Sequence, residues 1–432
     1  MKRYIDKLKQ RLQGDGAAGV FRNMLILATG TGAAKAIGFL ASLVVTRLFT
    51  PEDFGVMSLF IAFTSLIAPL STLCYSYAIP LPKNRHLAVN IILMNFGITA
   101  VMTMLTALAF IFAGNYIFRA ANADGLQPYV WLIILTQFFA GIYETLSSFA
   151  TRERAFKPIA RTKMIQAFFG ALVKVVSGFA HFGVPGLLIG QAYSQAGGSF
   201  VYYKAFKETL RSSLHRVSIK RVIRTAKIYR DFPMYRLPSQ FLLTFSIQAP
   251  LLMTGKLFGM AAVGQLGLAT SVLSLPVILF GVSAGQAYYA ETARIGANNP
   301  REIYDLSKKV AKKLFIVSLL PFAVLQLAGE PLFVLVFGKA WHQSGSFASM
   351  LSVSLLAQFV VVPIVNVLSV LGKQGMFLMF NIMRTISIVV LFSVCGWFSM
   401  QADTVILIYS FVLALNYALM AFVIFRVIRS RF

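Results

Sequence analysis

A chain of 432 residues with 58% hydrophobic and only 12% charged residues, and a mean hydropathy of +0.74, is too apolar for a water-soluble domain, which carries about twice that charge. Disorder needs low hydrophobicity, and 31 glycines with two cysteines exclude collagen-like and disulfide-stapled scaffolds. The net charge of +26 points first to nucleic acid, but basic clusters set between long apolar runs are the pattern of an integral membrane protein, and no nucleic-acid partner is expected.

A helix needs about 20 apolar residues to cross roughly 30 Å of hydrocarbon. On that ruler the sequence predicts twelve spans, at 24–45, 55–79, 87–113, 129–150, 164–182, 184–203, 233–254, 262–289, 314–337, 347–371, 376–400 and 405–425. With a cytoplasmic N-terminus, the loops on that side hold 32 of the 40 Lys and Arg residues, and the opposite loops hold only Arg47, Arg119, Lys256 and Lys339. This alternation follows the positive-inside rule, so both termini are expected in the cytoplasm. The first apolar run is too long for a signal-peptide core and is expected to remain as an anchor. In the basic segment 1–23, Tyr4, Ile5, Leu8 and Leu12 interleave with Lys2, Arg3, Lys7, Lys9 and Arg11; an interfacial helix and a solvated tail both fit. Cys74 and Cys395 lie within spans, so no disulfide is expected.

The longest basic loop, 204–232, separates six spans (24–203) from six more (233–425), and a short tail, 426–432, follows. Arg47-Leu48-Phe49 and Gly55 recur as Lys256-Leu257-Phe258 and Gly264, and Leu59, Ser65 and Leu66 as Leu268, Ser274 and Leu275, at a constant shift of 209 residues. A repeat with an even number of helices is parallel, related by an axis along the membrane normal. The expected fold is therefore all-α: a polytopic membrane protein of twelve transmembrane helices in two six-helix lobes around a central cavity, as in transporters.

Four basic residues belong to no loop: Lys35, Lys174, Arg236 and Arg384. A charge at the bilayer centre costs about 2.5 to 3.5 kcal/mol on insertion scales, so each is a functional candidate. Lys35 lies about 18 Å into its span at 1.5 Å per residue, too deep to snorkel. Lys174 and Arg384 are also near the midplane, whereas Arg236 can reach the cytoplasmic interface. A structural reading stands beside each: Lys35 in close helix packing among Gly30, Gly32, Ala33, Ala34 and Ala36, Lys174 as the ion-pair partner of Glu144, the one acid deep within a span, Arg236 as a snorkelling anchor, and Arg384 on backbone carbonyls or the Asn381 amide. Three deep cations against one acid favour an anionic ligand, for which phosphate is the natural partner. The run Gly190-Gln191-Ala192-Tyr193-Ser194-Gln195-Ala196-Gly197-Gly198 either lines a sugar-accommodating cleft, with Gln191 and Gln195 as contacts, or lets helices pack closely. Glu144 is a candidate for ion coupling. His86, His181, His215 and His342 stand singly, and no nucleotide fingerprint is present, so neither metal nor cofactor is expected. Short loops opposite the cytoplasm leave little room for a catalytic site there, so the chain is not expected to be an enzyme.

Several stretches resemble the Wzx-like, O-antigen-type polysaccharide flippases of the multidrug/oligosaccharidyl-lipid/polysaccharide (MOP) exporter superfamily. They are Thr46-Arg47-Leu48-Phe49-Thr50-Pro51-Glu52-Asp53-Phe54-Gly55, similar to that family's first inter-helix junction; Asp231-Phe232-Pro233-Met234-Tyr235 with Pro238-Ser239-Gln240, similar to its seventh-helix entry; Val336-Phe337-Gly338-Lys339-Ala340-Trp341, similar to the loop after its ninth helix; and Leu371-Gly372-Lys373-Gln374 with Asn381 and Arg384, similar to its tenth-to-eleventh junction. The resemblance implies a bacterial inner-membrane flippase that carries undecaprenyl-pyrophosphate-linked oligosaccharide from the cytoplasmic to the periplasmic leaflet in lipopolysaccharide and O-antigen biosynthesis, in the company of other polysaccharide-assembly membrane proteins. The rival readings are a MATE-like drug or cation exporter, which would need deep carboxylates, a transporter of a smaller anion, and a membrane polysaccharide polymerase or glycosyltransferase.

Overall fold

The computed structural model describes residues 17–82, 84–214, 219–296 and 298–431. The basic N-terminal segment, which fits both an interfacial helix and a solvated tail, lies outside the described residues as far as residue 16. The helices are α1 (Ala17–Leu48), α2 (Pro51–Ser71), α3 (Arg85–Ala120), α4 (Val130–Arg152), α5 (Phe156–Phe179), α6 (Gly183–Ala196), α7 (Ser199–Leu214), α8 (Ile219–Ile228), α9 (Leu237–Pro276), α10 (Val282–Ile295), α11 (Pro300–Phe337), α12 (His342–Ile364), α13 (Val367–Val370), α14 (Gln374–Trp397) and α15 (Ala402–Arg429), and no strand occurs among the described residues. The chain is an all-helical, multi-pass membrane protein: nine described helical stretches are long and apolar enough to cross a bilayer.

The three remaining expected spans are altered for physical reasons. α5 carries Arg161, Lys163 and Lys174, which lower its hydropathy. The sixth span breaks between α6 and α7 at Gly197 and Gly198, where Gly198 takes φ +79°, a conformation L side chains rarely adopt. The carbonyl of Gly197 freed by the break accepts a hydrogen bond from Gln166 Nε2 at 2.8 Å. The seventh span and the start of the eighth share α9, which kinks at Gly259 (φ 82°), and a π-helical turn after Pro276 interrupts the eighth. The segment 204–232, expected as a loop, is helical over most of its described length, because Val222 and Ala226 on α8, with Tyr229 just after it, form an apolar stripe that packs against the bundle.

The chain divides into two compact units. The first comprises the described residues of Met1–Ala41 with Ile67–Phe112 and Tyr129–Leu237. Its core joins Tyr75, Ile79, Ile91, Phe149, Ile159 and Tyr202. Glu153 ties its helix ends, accepting from Arg85 at 3.0 Å and Arg152 at 2.9 Å. After α2, Leu73 (φ 46°) and Cys74 (φ 61°) take left-handed conformations in succession and turn the chain into a 3₁₀ turn at Tyr75–Ala78.

The second unit comprises Ser42–Leu66, Ala113–Pro128 and Pro238–Phe432. Here Thr50 and Asp53 make a reciprocal cap at the start of α2: the Thr50 amide donates to Asp53 Oδ2 at 2.9 Å and the Asp53 amide to Thr50 Oγ1 at 3.2 Å, with Pro51 at the first helical position. Two of the stretches that carried the resemblance meet at this cap. Trp341, fully buried, donates from Nε1 to the Thr46 carbonyl at 2.8 Å and sets its ring edge-on to Phe54 at 4.7 Å.

α2 and the second leg of α9 cross at a reciprocal contact. A Cβ on Gly55 would lie 2.0 Å from the Met260 carbonyl oxygen, and one on Gly264 would lie 1.9 Å from the Pro51 carbonyl oxygen. Position 55 maps onto 264 and 51 onto 260 by the same 209-residue shift read from the sequence. Gly267 meets Ser58, its equivalent by that shift, across the same crossing. A residue i that touches j while j's counterpart touches i's is the signature of a two-fold relation, and here it relates the two copies of the repeat.

Candidate functional site

α6 can cross α5 closely because Gly170, Gly186 and Gly190 leave no side chain in the way: a Cβ on Gly190 would stand 2.5 Å from Lys174 Cγ. The Lys174 stem lies over that gap, and its ammonium donates to Gln191 Oε1 at 2.5 Å. Two predicted residues are thus brought together. The predicted alternative partner of Lys174, Glu144, is engaged elsewhere: it accepts from Ser76 Oγ at 2.7 Å, and Ser76 in turn meets the Thr72 hydroxyl at 3.2 Å. The ion pair between Lys174 and Glu144 is not formed: counted from the short turn between α4 and α5, Glu144 lies about 12 Å along α4 from Arg152 and Lys174 about 27 Å along α5 from Phe156, at 1.5 Å per residue. Gln195 lies on the same helix as Gln191, with its backbone carbonyl 3.5 Å from Gln166 Nε2 and its own side-chain amide nitrogen buried without a partner.

Lys35 is exposed on α1, one turn from Thr31. α1 meets α5 at Gly30, whose Cβ would lie 2.5 Å from that of Ala160, and this brings Lys163 Nζ to 3.4 Å from Thr31 Oγ1. The ammonium of Lys35 acts on that of Lys163 as a neighbouring like charge. Lys163 was missed in the sequence because it falls one residue before the expected start of the fifth span and was counted with the loop; its helical spacing from Lys174 was the available signal. Arg236, exposed in the π-helical turn Phe232–Arg236, stands over the Tyr77 ring at 4.7 Å.

Arg384 belongs to the second unit. Its guanidinium donates to Ser246 Oγ and, at 3.4 Å, to the Tyr417 hydroxyl, while its buried Nε has no hydrogen-bond partner. Asn381 is not its partner: that amide donates to the Phe377 carbonyl one turn back. Among the described residues no carboxylate lies within 4 Å of Lys35, Lys174, Arg236 or Arg384. The oxygens that hold Lys174 and Arg384 are amide or hydroxyl, which orient a cation without neutralising it.

The sequence model of the family described as "Polysaccharide biosynthesis protein" matches residues 44–346. The chain belongs to this family. A search of curated proteins finds no match. Among solved structures, this family member is similar in fold to the lipid II flippase MurJ in an inward closed conformation, with a TM-score of 0.66 and 12% identity over 92% of this chain and 87% of that one. It is similar also to a Vibrio cholerae MATE transporter, at 0.62 and 14% identity over 95% and 96% of the two chains. A Pyrococcus furiosus transporter of the MOP superfamily, described by a reversed polarity of its binding pocket, matches at 0.57 and 16% identity over 95% of each chain. The fold is that of MOP superfamily transporters and flippases.

Proposed function

We propose that the chain is a flippase that carries undecaprenyl-pyrophosphate-linked oligosaccharide from the cytoplasmic to the periplasmic leaflet of a bacterial inner membrane, working as a transporter and not as an enzyme. In this reading twelve spans form two lobes, 24–203 and 233–425, around a central cavity, with both termini cytoplasmic. The observation that carries it is that the deep cations Lys174 and Arg384 are held by neutral oxygens, so their charge is left for a ligand. A diphosphate bearing sugars is expensive to drag through hydrocarbon, at several kcal/mol for each polar group stripped of water. Lys35, Lys174 and Arg384 lower that barrier by replacing water around the phosphates, Gln191 and Gln195 bind sugar hydroxyls, and Arg236 captures the head group at the cytoplasmic mouth. The lipid tail stays in the bilayer while alternating access turns the head from one side to the other.

The test is the glycan profile of a deletion strain complemented with the wild-type chain. Lipid-linked repeat units held in the cytoplasmic leaflet support the flippase; free repeats outside the membrane indicate a polymerase, and normal glycan with a lost drug resistance indicates an exporter.

A further inference from the structure

Within the first unit, α3, α4 and the end of α2 converge on a seam that is buried yet polar. Their close approach is at Gly141, where a Cβ would stand 2.7 Å from Thr99 Cγ2 and 3.0 Å from Ser71 Cβ. Gln137 Nε2 donates to Thr106 Oγ1 at 3.1 Å and Arg85 pairs with Glu153, so α3 and α4 run antiparallel. In that register Asn95 lies level with Thr145, beside Glu144, and Thr103 lies level with Gln137. Asn95, Thr99, Thr103 and Thr106, three or four residues apart, share the face of α3 turned to α4, and Gln137, Gly141 and Glu144 share one face of α4.

Thr106 and Thr145 satisfy their hydroxyls on carbonyls one turn back in their own helices, each at 2.9 Å. Five other side-chain atoms of the seam are buried without a hydrogen-bond partner: Asn95 Nδ2 and Oδ1, Thr99 Oγ1, Thr103 Oγ1 and Gln137 Oε1. Asn95 and Thr99 are fully buried and Gln137 nearly so. An unpaired buried polar group is costly, and native interiors meet that cost with protein partners or with ordered water. The spacing suits water. Residues four apart on a helix rise about 6 Å, too far for a direct bond and close to two bonds of about 2.8 Å through one oxygen. Donors and acceptors are also mixed. Because both ends of the Asn95 amide are unpaired, a donor faces the seam whichever way that amide is turned, which suits water and opposes a bare cation.

The seam leads to an acid. Glu144 stands at its end, accepting from the Ser76 hydroxyl at 2.7 Å, with Thr72 behind Ser76 at 3.2 Å. The titratable groups on which the charge of Glu144 acts are Cys74 and Tyr77, at the turn after α2, and Arg236 stands over the Tyr77 ring. None of these lies on α3 or α4. We propose that the seam holds a file of ordered water from Thr106 to Glu144, and that this file is the proton path to the Glu144 carboxylate. A proton from bulk water enters at the half-buried Thr106 end and passes from oxygen to oxygen, each O–H bond breaking as the next forms. The carboxylate takes it up as a neutral carboxylic acid, and the same steps in reverse release it. The inference goes beyond the flippase reading, since it names the ion that Glu144 exchanges whatever the passenger.

The experiment gives the full chain in phospholipid vesicles a pH jump and follows the Glu144 carboxyl band by time-resolved infrared spectroscopy, the band being assigned by its loss in Glu144→Gln. Thr99→Val and Thr103→Val exchange a hydroxyl for a methyl of similar size. Each should slow the protonation of Glu144 by about tenfold, one hydrogen bond of about 1.4 kcal/mol lost at the barrier. Thr145, whose hydroxyl is already bonded to the Gly141 carbonyl, is the control, and Thr145→Val should leave the rate unchanged. Unfolding in detergent reads the water itself. If water pairs these hydroxyls, Thr99→Val and Thr103→Val lower the unfolding midpoint; in a dry seam they remove an unpaired group and raise it, which overturns the file. A lowered midpoint with unslowed protonation makes the water structural only and overturns the proton path. Sodium that raises the midpoint of the parent but not of Thr99→Val marks a cation site and overturns it too. Infrared reads the carboxyl alone, so the expected rates in a chain that moves no lipid-linked glycan would uphold the path and overturn the flippase reading. Full glycan transport with unslowed protonation in both valine variants would do the reverse.

Discussion

Replacing Gly264 by alanine tests the crossing of α2 and α9 directly. The new Cβ would stand 1.9 Å from the Pro51 carbonyl oxygen and 2.9 Å from the Gly55 amide nitrogen. Both are backbone atoms, so no change of rotamer relieves the clash, and the helices must part by about 1.5 Å to regain van der Waals separation. Overfilling a packed contact costs about 1 to 3 kcal/mol, and the missing escape puts this case at the upper end. Alanine in a helix returns about 1 kcal/mol relative to glycine, leaving a net loss of about 2 kcal/mol by these two figures. Unfolding of the purified protein in detergent measures it, with Gly97→Ala, where the Cβ is unopposed, as the variant that should lose nothing. A second readout comes from Ser58→Cys with Gly267→Cys: the Cβ positions are 3.1 Å apart, within a few tenths of an ångström of disulfide range. That pair should oxidise readily in the parent and slowly in Gly264→Ala. If alternating access parts this crossing, the oxidised pair should also stop transport and a reductant should restore it. A Gly264→Ala protein as stable as its parent, with the cross-link forming at the parent rate, would refute the close approach.

Lys35→Ala and Arg384→Ala should each abolish surface glycan while the protein still inserts, measured by glycan profile and membrane fractionation; normal glycan in both would remove these residues from the mechanism. Glu144→Gln keeps an oxygen for the Ser76 hydroxyl and so should fold normally, but transport in vesicles should no longer respond to an imposed proton gradient if Glu144 carries the coupling proton. An unchanged response would exclude it. Gln166→Ala leaves the Gly197 carbonyl without its donor at the break between α6 and α7, and should cost about 1 to 3 kcal/mol in detergent unfolding; no loss would mean that water satisfies that carbonyl equally well.

What the sequence could and could not carry divides by geometry. Which stretches become helices follows from the length of the apolar runs, and it was legible: the apolar runs became helices, and the 209-residue spacing reappears in the reciprocal contact of Gly55 and Gly264. The breaks were less legible because a single residue sets them. Gly198, Gly259 and the Leu73-Cys74 turn each redirect a helix inside an otherwise uniform apolar run, and glycines that do not break a helix, such as Gly97 and Gly190, read the same in composition. Where each helix starts and which way its side chains face, which together decide the partners, were illegible. Glu144 and Lys174 read as level on adjacent spans, which made them plausible partners, but α5 begins at Phe156 and not at 164, so Lys174 lies about 15 Å farther from the α4–α5 turn than Glu144; it reaches Gln191 across the gap that Gly190 leaves, and Glu144 is left with Ser76. The same ambiguity hid Lys163, whose depth placed it at a boundary while the Gly30 and Ala160 contact turned it toward Thr31 beside Lys35. In a membrane chain, then, the count of deep charges tests whether a ligand is anionic, while glycine positions on neighbouring helices decide which of those charges stay available to it. Exchanging Gly190 for a larger residue should therefore displace Lys174 from Gln191 without changing either one's depth, a separation of the two coordinates that no substitution of the lysine itself can make.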